Sequence, residues 1–157
     1  MDANIPPLET DAELVSTPNV FAEIIAGRSP ASFVYRDALV VAFMDIQPIN
    51  EGHVLVVPVQ PVKFLSELDE AVAARLFVVG QRVAAALRAS GSPATGIFMF
   101  LADGATAGQE VPHVHLHVVP RFAGDGLGFT LPERYHTLPE REALDEAALK
   151  IRSALGA

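Results

Sequence analysis

The chain contains no cysteine. That excludes a disulfide framework, a thiolate metal site and a thiol nucleophile. It also lacks any apolar run approaching the roughly 18 residues that a membrane-spanning helix needs. Its opening residues, MDANIPPLETDAEL, are acidic and proline-bearing, without the basic flank and apolar core of a secretory signal. A cytoplasmic location with no membrane contact is expected. Positive charge is scarce: 11 Lys and Arg stand against 19 Asp and Glu, a formal net charge of -8. Such a balance disfavours a nucleic-acid polymer as partner. It leaves open a mono- or dinucleotide, which a few local donors can hold.

Half of the 157 residues are hydrophobic and 19% are charged, which suits one domain of ordinary size with a real core. The expectation is a single domain over 1–157, with 1–16 a loosely ordered lead-in interrupted by Pro6, Pro7 and, just beyond it, Pro18. NVFAEIIAGRSP suits a short helix with Phe21, Ile24 and Ile25 on one side and Gly27 as its stop. FVYRDALVVAFMD reads as two strands, Phe33 to Tyr35 and about Leu39 to Met44, and HVLVVPV, His53 to Val59, as a third. Leu68, Val72, Leu76, Val79, Val83 and Leu87 recur at helical spacing. Ser66 with Asp69 resembles a capping box at the start of that helix, and Ser90-Gly91 ends it. GIFMFLA and HVHLHVVPR are read as two more strands, and the tail from Pro139 to Leu155 as a helix. Together these imply an α+β fold: a mostly antiparallel sheet of about five strands, one long central helix and a C-terminal helix.

Three of the five histidines lie at two-residue spacing in VPHVHLHVVPR: His113, His115 and His117. In a strand they share one face, with successive imidazoles about 7 Å apart, while Val114, Leu116 and Val118 form the core face. Three uses remain open. Two such histidines could hold zinc or another transition metal with a third ligand, for which His53, Glu110 and Asp103 are candidates. One could attack phosphorus and become covalently modified, with backbone amides of the glycine-rich DGATAGQE loop neutralising oxyanion charge. Or the row could simply face solvent. His136, in ERYHTLPER, is read as a surface histidine.

AGQEVPHVHLHVVPR closely resembles the His-x-His-x-His signature of the histidine triad (HIT) family of nucleotide hydrolases and transferases. The likeness extends over about Phe21 to Gly128. GHVLVVPVQPV and DGATAGQ look most like the fragile-histidine-triad branch, which cleaves dinucleoside polyphosphates, whereas AFMDIQP looks more like the nucleotide-binding-protein branch. By this resemblance His115 is the nucleophile that attacks an α-phosphate. His117 bonds a phosphate oxygen, and His113 orients the site with His53 as its partner. Gln109 lies near the transferred phosphate, with Gly108 and Glu110 beside it. Asp45 takes the ribose hydroxyls, and Tyr35, Phe43 and Ile46 pack the base.

Two departures stand out. Ala102 replaces an amide side chain common in the family, and Glu110 replaces Ser or Thr. Where some members hold zinc through cysteines and an extra histidine, this chain has no cysteine and carries Pro61 at that histidine's place. No bound metal is therefore expected. The resemblance implies a nucleotidyl hydrolase or transferase acting on a purine nucleotide, a dinucleoside polyphosphate or a nucleoside phosphoramidate or adenylate. It would need no cofactor, any divalent metal riding on the substrate's phosphates, and would work as a homodimer. A non-enzymatic nucleotide sensor and a metallohydrolase are the alternatives.

Overall fold

The computed structural model describes residues 7–156. The chain divides into two compact units, Met1–Asp125 and Gly126–Ala157, where the sequence suggests a single domain. In the first unit, five antiparallel strands form one sheet: β1 (Phe33–Arg36), β2 (Val40–Met44), β3 (Val54–Pro58), β4 (Gly96–Phe100) and β5 (Leu116–Arg121), in the order β1-β2-β3-β5-β4. Between β3 and β4 runs α3 (Glu70–Ala89), preceded by two short helices, α1 (Asp11–Ser16) and α2 (Val20–Ile25). The α+β expectation and its strand count hold.

Strand alternation separates two cores. One face presents Val40, Ala42, Val54, Val56, Leu116 and Val118 to Leu76, Val79 and Val83 of α3, with Leu68, Val72 and Leu87 packed alongside. The apolar repeat read from the sequence is thus the buried stripe of that helix. The helix lies close to the sheet: a Cβ on Gly80 would fall 2.7 Å from Leu116 Cδ2 and 2.7 Å from Met99 Cε. The opposite face presents Val41, Phe43, Leu55 and Val57 to Phe21 and Ile24 of α2. That second face carries the site.

Several boundaries differ from the sequence expectation for local reasons. Asp69, not Ser66, caps α3, its carboxylate accepting the amides of Ala71 and Val72, while Leu65–Glu67 forms a separate 3-10 turn. Within the supposed lead-in, Thr10 and Glu13 make a reciprocal capping box for α1, and Leu14 is completely buried. The first part of that lead-in, residues 1–6, lies outside the described residues. In the second unit, α4 (Arg141–Leu155) follows a 3-10 turn at Glu133–His136, and all of its residues are exposed. Among the described residues no helix is long and apolar enough to cross a membrane.

Candidate active site

The predicted strand from His113 begins three residues late, at Leu116. The cause is two prolines. Pro112 has no N–H, and around it the chain makes a tight turn in which His113 N donates to Val111 O at 2.8 Å. Across the sheet, β3 ends at Pro58, which also lacks an N–H, and Val114 N turns instead to Val62 O at 2.7 Å. Only His117 therefore sits in the ladder, opposite Leu55 on one side and Phe100 on the other. Freed from strand geometry, the rings crowd: His115 and His117 have centroids 4.7 Å apart, closer than the spacing expected from an extended strand.

Their hydrogen bonds fix where the protons are. Nδ1 of His115 lies 2.7 Å from the backbone oxygen of His113. A carbonyl only accepts, so Nδ1 carries the proton and Nε2 keeps its lone pair. A second chain runs from the turn before β3. The amide of Ile49 donates to Nδ1 of His53 at 3.2 Å, so the His53 proton is on Nε2. That nitrogen is 3.0 Å from Nδ1 of His117, which must accept, leaving the His117 proton on its own Nε2. One imidazole thus offers a lone pair while its neighbour offers a donor.

Burial supports this neutral pairing. It pushes His53, His113, His115 and His117 below the ordinary histidine range. His117 falls furthest, to about 3, because His115 and His53 add to the burial effect. For His115 the carboxylates of Asp45 and Glu110 pull the other way without overcoming burial. Aromatic packing holds the rings: Phe100 stacks on His117 with centroids 4.2 Å apart and planes 4° from parallel. Phe21 meets His115 edge-on at 5.0 Å and Phe43 at 5.5 Å.

The other candidates divide. Asp45 comes to the site, Oδ2 lying 3.4 Å from Nδ1 of His53, while its Oδ1 accepts the amide of Gln47 and so shapes the turn. Ile46 beside it is fully exposed, an apolar side chain open to a ligand. Phe43 is buried in the core with Phe21 and meets the exposed Phe33 edge-on. Tyr35 is not at the site: it packs against the α3 face, its hydroxyl donating to Asp37 at 2.9 Å. His53 pairs with His117 rather than with His113, whose ring instead faces Pro58 O at 2.8 Å and Asn19 Oδ1 at 3.2 Å.

The glycine-rich loop also differs from expectation. Gln109 is buried, its Oε1 accepting Gly104 N at 2.8 Å and its Nε2 donating to the carbonyls of Lys63 and Val111, each at 2.9 Å. Both amide hydrogens are used within the protein, so Gln109 staples the loop to the carbonyls of Lys63 and Val111. The amides of Ala105, Ala107, Gly108 and Gln109 are likewise bonded, to Asp11 Oδ1, Gly104 O, Ala105 O and Gly104 O. The loop is thus a rigid support rather than an open cradle of amides. Glu110, exposed, follows it, and Ala102 is buried.

Of the proposed metal-ligand candidates, Asp103 accepts the amide of Leu65 at 2.8 Å. Among the described residues one grouping has a ligand set, Asp45, His53 and His117, with ligand atoms within 4.8 Å of one another. Both His53 nitrogens are already engaged there. A cation would have to break one of those bonds. Asn19, Phe21 and Phe100 were not among the sequence candidates. A cap signal at Asn19 was readable, but its contact with His113 spans 94 positions.

Across residues 26–124 the sequence matches the HIT domain family. The chain belongs to the HIT family. A nitrilase and fragile histidine triad fusion protein of Caenorhabditis elegans is 40% identical over 107 residues, 68% of this chain and 22% of that protein, which supports the fragile-histidine-triad relation. The adenylylsulfatase HINT3 of Arabidopsis thaliana is 31% identical over 137 residues, 87% of this chain and 66% of that protein. Among solved structures, a HIT family protein from Bacillus anthracis superposes with a TM-score of 0.78 at 32% identity, covering 86% of this chain and 95% of that one. The antiparallel sheet with its helices is the HIT fold.

Proposed function

We propose that this HIT protein is a nucleotidyl hydrolase or transferase that works through a covalent nucleotidyl-histidine at His115. One observation carries the reading: the 2.7 Å bond from His115 Nδ1 to the His113 carbonyl, which leaves Nε2 unprotonated beside the donating Nε2 of His117. Attack by that nitrogen on an α-phosphorus forms a P–N bond and breaks the bond to the leaving group, which takes a proton from solvent. The ring becomes a cation while the His117 N–H holds a phosphate oxygen. Water then breaks the P–N bond, releasing the nucleoside monophosphate and passing a proton to solvent. The ring ends as it began.

Asp45 would take the ribose hydroxyls and Ile46 one side of a purine. Substrates are dinucleoside polyphosphates or nucleoside phosphoramidates and adenylates, a class that the adenylylsulfatase among the relatives supports. The reaction needs no resident cofactor; a divalent cation, where one takes part, rides on the substrate's phosphates. A homodimer is part of the proposal. The test is release of AMP from a panel of diadenosine polyphosphates, adenosine phosphoramidate and adenylyl sulfate. His115→Ala is expected to abolish release, by at least about a thousandfold, while AMP still binds in calorimetry. Turnover by that variant at the wild-type rate would overturn the mechanism. A wild-type protein that binds AMP but releases none across the panel is instead a nucleotide sensor.

A further inference from the structure

Asn50 staples the turn before β3 to the end of β5. The pairing of β3 with β5 reaches Val54 opposite Val118, and Pro120, two residues further on, offers a carbonyl but no N–H. The Asn50 side chain takes over there: its Nδ2 donates to Pro120 O and to Asp125 Oδ2, each at 2.9 Å. Both partners only accept, so the amide's orientation is settled and each of its two hydrogens has one partner. Asp125 is held in turn by the Arg121 guanidinium on both of its oxygens. Gly52 presses the same turn onto the same proline: at its φ of 94° an added Cβ would lie 3.2 Å from Pro120 Cγ and 3.2 Å from Leu87 Cδ2.

That staple holds a choice made at His53. Its backbone amide donates to Asn50 O at 3.0 Å, and the stapled turn brings the Ile49 amide to its Nδ1 at 3.2 Å. Asp45 Oδ2 lies 3.4 Å from the same nitrogen. Nδ1 cannot serve both: with a lone pair it accepts from Ile49, and with a proton it donates to Asp45. The choice passes down the chain. With the Nδ1 lone pair, the His53 proton sits on Nε2 and is given to His117 Nδ1 at 3.0 Å, so His117 presents its own Nε2–H. With the Nδ1 proton on Asp45, His53 Nε2 becomes the acceptor, His117 must carry its proton on Nδ1, and the Nε2 donor is lost.

We propose that Asn50 is a positioning residue for His117: by stapling the turn it keeps the Ile49 amide on His53 Nδ1 against the pull of Asp45, and so keeps His117 the Nε2–H donor. The kinetic arm of the test rests on the hydrolase reading above; the spectroscopic arm does not. In the full-length protein, Asn50→Ala removes both donors of the staple. It is expected to move His53 mostly to the Nδ1–H form and His117 with it. A phosphate donor presented about a tenth of the time lowers kcat for AMP release about tenfold with KM little changed. Adding Asp45→Ala removes the competing acceptor, so in the double variant His53 and His117 should both return to the Nε2–H form.

Nitrogen NMR of the histidine rings reads the tautomers directly. Wild type should show His53 and His117 both protonated on Nε2, Asn50→Ala the two mainly on Nδ1, and the double variant the wild-type pattern. A merely structural staple would lower the urea midpoint of Asn50→Ala and leave the tautomers as they are. That result overturns the proposal, and so does a double variant that stays in the Nδ1–H form. It is also overturned, whatever the variants do and whether or not they fold, by a wild-type His53 or His117 protonated on Nδ1. Should the wild type release no nucleotide, the hydrolase reading fails and the ring spectra still decide the role of Asn50.

Discussion

Gln109 commits its whole side chain to the protein: one acceptor and both amide hydrogens are bonded inside a buried site. Asn in its place would be too short, and Glu would set a carboxylate against the carbonyls of Lys63 and Val111. Two buried acceptors would lose their donors and a charge would be desolvated. Gln109→Glu is therefore expected to destabilise the protein by about 3 kcal/mol, read from urea unfolding. If it leaves the unfolding midpoint in place and lowers only kcat, Gln109 acts on substrate after all. The residue patterns show why some roles were legible and others were not. His113, His115 and His117 stand out because their spacing is local. The partner of His53 was not readable, since it depends on β3 and β5 pairing with Leu55 opposite His117. Tyr35 illustrates the same limit: alternation along β1 cannot tell which face α3 covers.

At the scale of elements, the long helix and five strands were visible as apolar periodicities, because burial on one face imposes them directly. Their ends were set by subtler chemistry. The late start of β5 follows from Pro112 and Pro58 removing two ladder donors, and that late start brings the His115 and His117 rings together. The α3–sheet contact couples helix and site more tightly than periodicity alone conveys. At Gly80 an added Cβ meets both Met99 and Leu116 at 2.7 Å. The Met99 methyl can swing aside, but Leu116 begins the strand that carries His117. Gly80→Val is expected to cost about 3 kcal/mol through overpacking, despite the backbone gain that losing a helical glycine normally brings. Equal urea midpoints for variant and wild type would show that the helix has room to lift from the sheet.

At the scale of the whole molecule, the site puts four neutral imidazoles into the first compact unit, and this links stability to pH. Burial lowers His53, His113, His115 and His117 in the folded state, whereas in the unfolded chain each titrates near about 6.5. Below that value the unfolded state binds more protons than the folded one, so stability falls as pH falls. The contribution is complete above about pH 6.5 and is lost progressively as pH drops through the depressed folded values, the lowest being about 3 at His117. Asp37 adds a later step of the same sign. Burial alone would raise it, but the amides of Val40 and Leu39 and the Arg75 guanidinium hold it well below the usual carboxylate range. Its contribution is present above about pH 4 and lost in stronger acid. Urea midpoints should be nearly flat from pH 8 to 7 and then fall steadily to pH 5, with protons taken up on unfolding. His53→Asn and His117→Asn together remove two of the four sites, so the slope between pH 6.5 and 5 should shrink by about half. A midpoint that stays level down to pH 5 would mean that these imidazoles titrate in the folded protein as they do in the unfolded chain, so that burial does not hold the triad neutral in acid.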